Sequence, residues 1–399
     1  MSRSIWVAVV ALALIAAGCF WIVSSGTGSH ATGIHASTIN ETVVGPESLI
    51  TTSLPQGYGA PAALATATDG SVWFWSASIS EVSLFHWDPE SAAPMTQVNL
   101  GSASNLGVGA GLQAAIAIDS FGTIWLGQNR SLVSYKPATG AIATTSVPET
   151  GIDSGLTSWR PSEMSGDQSI TAMAAGPSGQ LAIASDNSDA LQILNTTNGS
   201  FTQLVLPTGT EPNDVAYDAD GTLGVSESVY SQGHPTTTYN LLIVHPDGTQ
   251  TNVPDVPTIN LTATRSGFLA NDSQQFVAAS GSLQASPTPT AVGTASGSSI
   301  AARAGGWSAV TGTDTIYTSR AGIVVNGTDG SVHVVQLPQF NCGYPSLSVA
   351  EAPPTTVAGA GPPQCTAAVG ALTANGQGLF AGISTPVPEV AFLSSSHYQ

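Results

Sequence analysis

The chain has 399 residues, enough for one large all-β domain or for two or three domains of average size. Only 8% of its residues are charged, and 25 acidic residues against seven lysines and arginines give a net charge of −18. So few basic residues cannot form a basic patch, which excludes nucleic acid and anionic membrane surfaces as partners.

The N-terminal segment predicts that the rest of the chain is exported. Residues 5–23 form an apolar run close to the roughly 20 residues that span a bilayer, and Arg3 precedes it. We therefore predict a transmembrane anchor or signal segment over residues 1–23, with an uncleaved anchor favoured and the body outside the cell. Lipidation of Cys19, in the partial lipoprotein motif AAGC, and a cleaved signal peptide are the alternatives. The small, polar residues 24–46 are predicted to form a flexible tether.

From residue 47 onwards the chain repeats one pattern of four short strands. A turn phrase recurs at spacings of roughly 40 residues, as in ATDGSVWFWS and AIDSFGTIWLG, and this spacing is typical of β-propeller blades. The chain is therefore predicted to be an all-β, seven-bladed β-propeller over residues 47–399. Because the fifth unit is degenerate, six blades plus an insertion is the alternative. The predicted blades are 61–100, 112–148, 169–207, 211–254, 258–294, 306–338 and 366–393.

The last unit lacks a fourth strand, and the beginning of the domain supplies a candidate for it. The sequence ESLITTSLP, at residues 47–55, resembles the fourth strands AIATTSVP and SVHVVQLP. We predict that this segment completes the last blade and closes the ring, which removes an exposed sheet edge.

The recurring turn phrase predicts local structure. Asp-Gly and Ser-x-Gly provide the positive φ that such turns need, and an aspartate can accept hydrogen bonds from nearby backbone amides. The phrase DADG also resembles the start of a calcium loop, but the acid at the end position of such a loop is missing. The predicted turn residues are Asp69, Asp119, Asp218 and Asp329. The residues predicted to pack between neighbouring blades are Trp73, Trp125 and Leu181.

The blade pattern x-x-DG-x-(L/V/I)-W-(F/L), best seen in residues 67–100 and 117–148, resembles the streptogramin B (virginiamycin B) lyase-like and NHL-type β-propellers. For the lyases, the resemblance implies a magnesium-dependent carbon–oxygen lyase with a histidine base and glutamate ligands near the central channel. His234, with Glu227 upstream, is the one plausible base, and an exposed loop histidine is the simpler interpretation. The histidines predicted to point outward, in third or fourth strands, are His86, His245 and His333.

The long links between blades carry the candidate ligand-binding residues. In a propeller all links from a fourth strand to the next first strand emerge on one face, beside the central channel. An aromatic side chain beside charged ones suits the binding of sugars or peptides. The alternative is that these links only cover the mouth of the channel. The candidates are Trp159, Arg160, Glu163, Asp167 and Tyr344.

Two further predictions concern cysteines and carboxylates. For an exported chain we expect a disulfide between Cys342 and Cys365, with two free buried thiols as the alternative. We expect no metal site there, because no histidine lies nearby. Since most carboxylates lack a basic partner, we also expect mutual repulsion to raise their pKa values and to favour the fold in acid.

These observations favour an extracellular, membrane-tethered binding module without a cofactor, whose loop face recognises a polymer, peptide or protein of the cell envelope. One alternative is a magnesium-dependent enzyme like the streptogramin B lyases. The other is a scaffold within an envelope complex. Sequence alone leaves catalysis undecided and leans against it, because no convincing cluster of histidine and glutamate is found.

Overall fold

The computed structural model describes residues between 41 and 397, which belong to one compact unit over residues 39–399. Within that described part, no helix has the length and hydrophobicity needed to cross a bilayer. The predicted anchor, Cys19 and residues 24–40 lie outside the described residues. The described residues are 41–61, 63–78, 80–91, 93, 95–102, 115–150, 168–229, 238–256, 261–264, 267–270, 275–285, 308–311, 314–319, 322–326, 332–337, 339–341, 364–366, 368–375, 377–384 and 387–397.

The first four large sheets are antiparallel, with strands in chain order. Sheet 1 contains β3 (Ala63–Thr66), β4 (Val72–Ala77), β5 (Glu81–Trp87) and β6 (Thr96–Ser102). Sheet 2 contains β7 (Ala115–Ile118), β8 (Ile124–Gln128), β9 (Ser131–Lys136) and β10 (Ala141–Ser146). Sheet 3 contains β11 (Ile170–Ala175), β12 (Gln180–Ser185), β13 (Ala190–Asn195) and β14 (Phe201–Val205). Sheet 4 contains β15 (Thr210–Tyr217), β16 (Leu223–Val229), β17 (Thr238–Val244) and β18 (Gln250–Pro254).

The remaining sheets include two strands from the beginning of the domain. Sheet 5 contains β19 (Leu261–Thr264), β20 (Gly267–Ala270), β21 (Gln275–Ala278) and β22 (Leu283–Ala285). Sheet 6 contains β23 (Ser308–Thr311), β24 (Asp314–Ser319), β25 (Gly322–Asn326), β26 (Val332–Val335) and β1 (Glu41–Val44). Sheet 7 contains β29 (Ala368–Asn375), β30 (Gly378–Ser384), β31 (Glu389–Ser394) and β2 (Ile50–Ser53). A two-stranded ribbon consists of β27 (Gln339–Asn341) and β28 (Gln364–Thr366).

This architecture confirms an all-β propeller and corrects the prediction of seven blades to six regular ones. Six sheets have the four strands of a regular blade, and sheet 6 has five. The difference arises because β1 pairs in parallel with the outer strand β26. Residues 41–44 were predicted to belong to the tether, whose small and polar composition gave no sign of a strand.

The first strands of the large sheets contact each other in cyclic order, from β3 through β7, β11, β15, β19, β23 and β29 back to β3. These strands therefore surround the middle of the propeller. The predicted pairing of the N-terminal segment with the last blade is present, because β2 runs antiparallel to β31 with Ile50 opposite Phe392.

Apolar side chains fill the seams between neighbouring sheets. Trp73 packs with Ile124 and Leu126 of the next sheet, as predicted. Trp125 and Leu181 pack in the seam between sheets 2 and 3, also as predicted. In sheets 1 to 4 the second strands are almost wholly buried, which accounts for their apolar character.

The predicted disulfide is next to the ribbon of β27 and β28. Cys365 pairs in register with Phe340, while Cys342 follows directly after β27 and lies outside the described residues. We expect a disulfide to form here, and the double variant Cys342→Ser/Cys365→Ser to lower the free energy of unfolding by about 2–4 kcal/mol. Thermal unfolding of both proteins, with mass analysis before and after reduction, measures this. Unchanged mass on reduction would contradict the disulfide.

Candidate functional site

The antiparallel order of the strands places successive connections at alternating ends of each sheet. We call one end the turn face; it carries the turns between first and second strands, at residues 67–71, 119–123, 176–179 and 218–222. We call the other end the loop face; it carries the connections 129–130 and 186–189, and there the chain enters β11 and β15. The links that carry the predicted ligand-binding residues join strand ends at the loop face.

The turn aspartates act as predicted. Asp119 accepts hydrogen bonds from the backbone amides of Phe121 and Thr123, both at 2.9 Å, and from the indole Nε1 of Trp125 at 2.9 Å. Asp218 accepts from the amides of Asp220 and Thr222 at 3.0 and 2.8 Å. These bonds are local and stabilise the turns.

Asp69, Ser71 and His86 form a chain of hydrogen bonds at the turn face. The hydroxyl of Ser71 donates to Asp69 Oδ1 at 2.5 Å and lies 2.8 Å from His86 Nε2. Because the Ser71 hydroxyl donates its hydrogen bond to the carboxylate of Asp69, His86 donates to the Ser71 oxygen and does not accept its proton. This serine is therefore not activated as a nucleophile. The hydrogen bond from Ser71 is also the main reason that the pKa of Asp69 is lowered. Burial is the main reason that the pKa of His86 is lowered. Stacking of His86 on Trp73 supports a structural role.

The loop face carries a buried polar network across sheets 2, 3 and 4. The side chain of Gln168 accepts from the amide of Thr150 at 3.1 Å and donates to the carbonyl of Asn187 at 3.2 Å. The hydroxyls of Thr150 and Ser188 are 2.5 Å apart. The amide of Asn187 donates to Glu211 Oε1 at 2.6 Å. These contacts join three sheets at one end of the propeller.

Backbone strain also concentrates at the loop face. Among the described residues, three non-glycine residues have a positive φ: Asn129, Asn187 and Asp255, at 49°, 56° and 57°. Each follows a second or fourth strand and lies at the loop face. Such conformations disfavour most side chains and are retained where the surroundings require them, often at functional sites.

Several polar atoms in this region are buried without a hydrogen-bond partner in the described part of the chain. They are the amide nitrogen and oxygen of Gln128, the Nε of Arg130, the side-chain oxygen of Asn187, and both carboxyl oxygens of Glu227. Glu227 has no exposed surface, and burial raises its pKa to about 8, while the Thr210 hydroxyl lowers it by a smaller amount. Among the described residues no hydrogen bond of ordinary geometry reaches the Glu227 oxygens, so the interaction with Thr210 is weak.

A second unusual carboxyl, that of Asp214, lies on the first strand of sheet 4. A β-bulge between Pro212 and Asp214 interrupts the pairing of β15 with β16. Asp214 accepts from the amide of Leu261 in sheet 5 at 2.6 Å and from the amide of Val215 at 2.8 Å. Burial raises its pKa to about 7, and these two bonds oppose that rise. Asp214 therefore links sheets 4 and 5 at the wall of the propeller's middle.

The repeat shows how unusual these two carboxyls are. When sheets 1, 2, 3 and 7 are aligned by the pairing of their first two strands, alanines occupy the position of Asp214: Ala63, Ala115, Ala172 and Ala371. The position of Glu227 is occupied by Ser76, Gln128, Ser185 and Ile383. The sequence interpretation missed Asp214, although this departure from the repeat was a visible signal. A charged residue at a buried repeat position is a departure expected at functional sites.

The structure places only part of the predicted site. Trp159, Arg160, Glu163, Asp167 and Tyr344 lie outside the described residues, as do His234 and Asp329. Of the histidines predicted to point outward, His86 is in the third strand of sheet 1, His333 is in β26, and His245 directly follows β17. Among the described residues, no group of three or more His, Cys, Asp or Glu side chains is arranged to hold a metal ion.

The expected cause of the carboxylate shifts is wrong. Mutual repulsion was expected to raise these pKa values, yet burial is the largest cause for both Asp214 and Glu227. On the surface, the hydrogen bonds from Thr249 lower the pKa of Asp247. Burial, and not a repulsive surface, is therefore the main cause of the raised pKa values of these two carboxyls.

Comparison with known proteins supports the fold. No protein-family description and no curated protein matches the chain. A catalytically inactive variant of virginiamycin B lyase from Staphylococcus aureus with quinupristin has a TM-score of 0.54 and 14% identity, covering 86% of this chain and 99% of that one. A streptogramin B lyase has a TM-score of 0.53 and 13% identity, with coverage of 86% and 96%. The WD40 repeats of RRP9 have a TM-score of 0.53 and 11% identity, with coverage of 87% and 97%. The resemblance to the lyase-like propellers is confirmed for the fold.

Proposed function

We propose that the chain is an extracellular, membrane-tethered binding module that recognises a polymer, peptide or protein on its loop face. The observation that carries this proposal is the accumulation, at one end of sheets 2, 3 and 4, of buried polar atoms without partners. Buried polar groups are otherwise almost always paired, since leaving one unpaired costs about 1–3 kcal/mol. A bound ligand that supplies the missing partners would offset this cost.

The link that contains the predicted ligand-binding residues Trp159 and Arg160 begins and ends at the loop face. Thr150 is the last described residue before the link that contains Trp159 and Arg160, and Gln168 is the first described residue after it. Both belong to the polar network. We therefore propose that Trp159 and Arg160 act together with the network on the loop face.

Retention on cell-envelope material tests this function. The full chain, in detergent, is applied to immobilised cell-wall glycans and to envelope extracts, and the retained fraction is measured. We expect Trp159→Ala to reduce retention at least about tenfold, as for an aromatic anchor. Phe121→Ala is the matched control, because Phe121 is an exposed aromatic residue at the turn face. Equal retention of both variants and the parent protein would contradict the proposal.

Sensitivity to divalent metal separates this function from the lyase alternative. A binding module without a cofactor is expected to melt at the same temperature after EDTA treatment and after restoring Mg²⁺ or Ca²⁺. A native-state metal site would instead raise stability by about 2.7 kcal/mol at a hundredfold excess over Kd. Thermal unfolding in each condition measures this. A clear, reversible rise with Mg²⁺ would favour the lyase.

A further inference from the structure

We propose that the seam between sheets 3 and 4, at the loop face, binds the ammonium group of a lysine side chain, with Glu227 as its anchor. This inference rests on the proposed function, since it assumes a ligand at the loop face, and it adds the chemical class of that ligand. Four described residues form the seam site: Asn187, Thr210, Glu211 and Glu227.

The unpaired atoms in the seam are acceptors. Both carboxyl oxygens of Glu227 and the side-chain oxygen of Asn187 have no hydrogen-bond partner in the described part of the chain. Glu227 faces sheet 3, because its neighbour Val225, two residues earlier in β16, packs with Ala182 and Leu191 of that sheet. A group of acceptors without donors is complementary to a donor-rich ligand, and an ammonium group offers three donors and no acceptor.

One donor that acts on Glu227, the hydroxyl of Thr210, already donates to another acceptor. The hydroxyl of Thr210 donates to the carbonyl of Pro207 at 2.8 Å. Its single proton therefore cannot fully satisfy the carboxylate as well, although its interaction lowers the pKa of Glu227. The amide of Asn187 is likewise committed to Glu211. A cation at Glu227 must therefore come from outside this part of the chain.

The sequence of sheets 3 and 4 has no permanently charged basic residue. No lysine or arginine occurs between Arg160 and Arg265. The titratable groups on the elements around Glu227 are Glu211, Asp214 and Tyr217 on β15, Tyr239 on β17, and Asp186 and Asp189 between β12 and β13. All are acidic or neutral, so the local field attracts a cation.

The loop face is the end of the seam nearest to Glu227. Glu227 is two residues from the end of β16, at the loop face. It is fully buried, whereas Asn187 retains partial exposure. A lysine side chain is long enough to bring its ammonium group inward while its apolar stem passes the rim of the seam. Its binding would replace the proton held by Glu227 with a fixed positive charge.

Calorimetric titration of the full chain with Nα-acetyl-lysine methylamide tests this proposal. We expect saturable binding to one site, with release of protons that is detected by comparing two buffers of different ionisation enthalpy. Glu227→Gln should weaken binding at least about tenfold, because the amide cannot neutralise the ammonium group. The matched control is Asp220→Asn, which removes the same charge from an exposed residue at the turn face. The norleucine analogue of the probe, which lacks the ammonium group, should not bind.

The outcomes separate this inference from the proposed function. Binding that survives in Glu227→Gln, is lost equally in Asp220→Asn, or occurs without proton release would overturn the ammonium site. So would the absence of binding to the parent protein. If the probe fails while retention on envelope material still depends on Trp159, the inference is wrong and the proposed function stands. Circular dichroism of Glu227→Gln verifies that the variant is folded.

Discussion

Glu227→Gln is expected to raise the melting temperature by several degrees at about pH 9 and to change it little at about pH 5. The pKa of Glu227 is about 8 in the folded protein, against 4.5 for an ordinary glutamate. A carboxyl with a raised folded pKa contributes its full stability below the unfolded value and loses it as pH rises through the folded value. The shift corresponds to about 5 kcal/mol at most. Glutamine cannot ionise and avoids this loss.

The measurement is thermal unfolding across this pH range for the parent protein and two variants. Asp220→Asn is the control, because it removes an exposed carboxylate without affecting a seam. Asp214→Asn should act in the same direction as Glu227→Gln, with a smaller effect, because the pKa of Asp214 is about 7 and its carboxylate accepts two backbone hydrogen bonds. If the melting temperatures of Glu227→Gln and the parent protein fall in parallel as pH rises, ionisation of Glu227 is not the cause of the loss of stability, and the prediction is wrong.

Deletion of residues 1–55 is expected to lower the stability more than any of the point variants, and to leave the protein aggregated or unfolded. The deletion removes β2, which completes sheet 7, and so exposes the edge of β31. It also removes Leu49 and Leu54 from the cores around sheets 6, 7 and 1. Each buried leucine contributes about 2–5 kcal/mol when truncated to alanine.

The matched control is deletion of residues 1–38, which keeps β1 and β2. We expect this shorter deletion to keep the melting temperature of the parent protein. Size-exclusion chromatography and thermal unfolding of both deletions provide the comparison. A monomeric 56–399 fragment that melts like the 39–399 fragment would show that β2 does not hold the ring together.

Local signals predicted much of the fold. Asp119 and Asp218 were identifiable as turn residues, because an aspartate three residues before a turn glycine accepts hydrogen bonds from amides only two to four residues away. Trp73 and Trp125 were placed in the seams by the repeat alone, since their strand positions recur. The pairing of β2 with β31 followed from the likeness of residues 47–55 to other fourth strands.

Properties that depend on contacts between distant parts of the chain could not be predicted from the sequence. β1 pairs in parallel with a strand almost 300 residues away, and no turn or alternating pattern records such a contact. The raised pKa values of Asp214 and Glu227 depend on the packing of neighbouring sheets against them, which composition does not reveal. Net charge suggested raised pKa values from repulsion, but among the described carboxyls only Asp214 and Glu227 show a rise, by burial, while the pKa values of Asp69 and Asp247 are lowered. The residues predicted to bind ligand, such as Trp159 and Tyr344, remain predictions.

Hydrogen–deuterium exchange tests most directly whether the loop face binds the ligand. The full chain is compared with and without the envelope material that it retains. We predict slower exchange in residues 186–189, at the start of β15 and at the end of β16, with no change in the turns 119–123 and 218–222. Slower exchange confined to those turns, or to the outer strands β10 and β14, would place the ligand elsewhere and contradict the loop face as the binding surface.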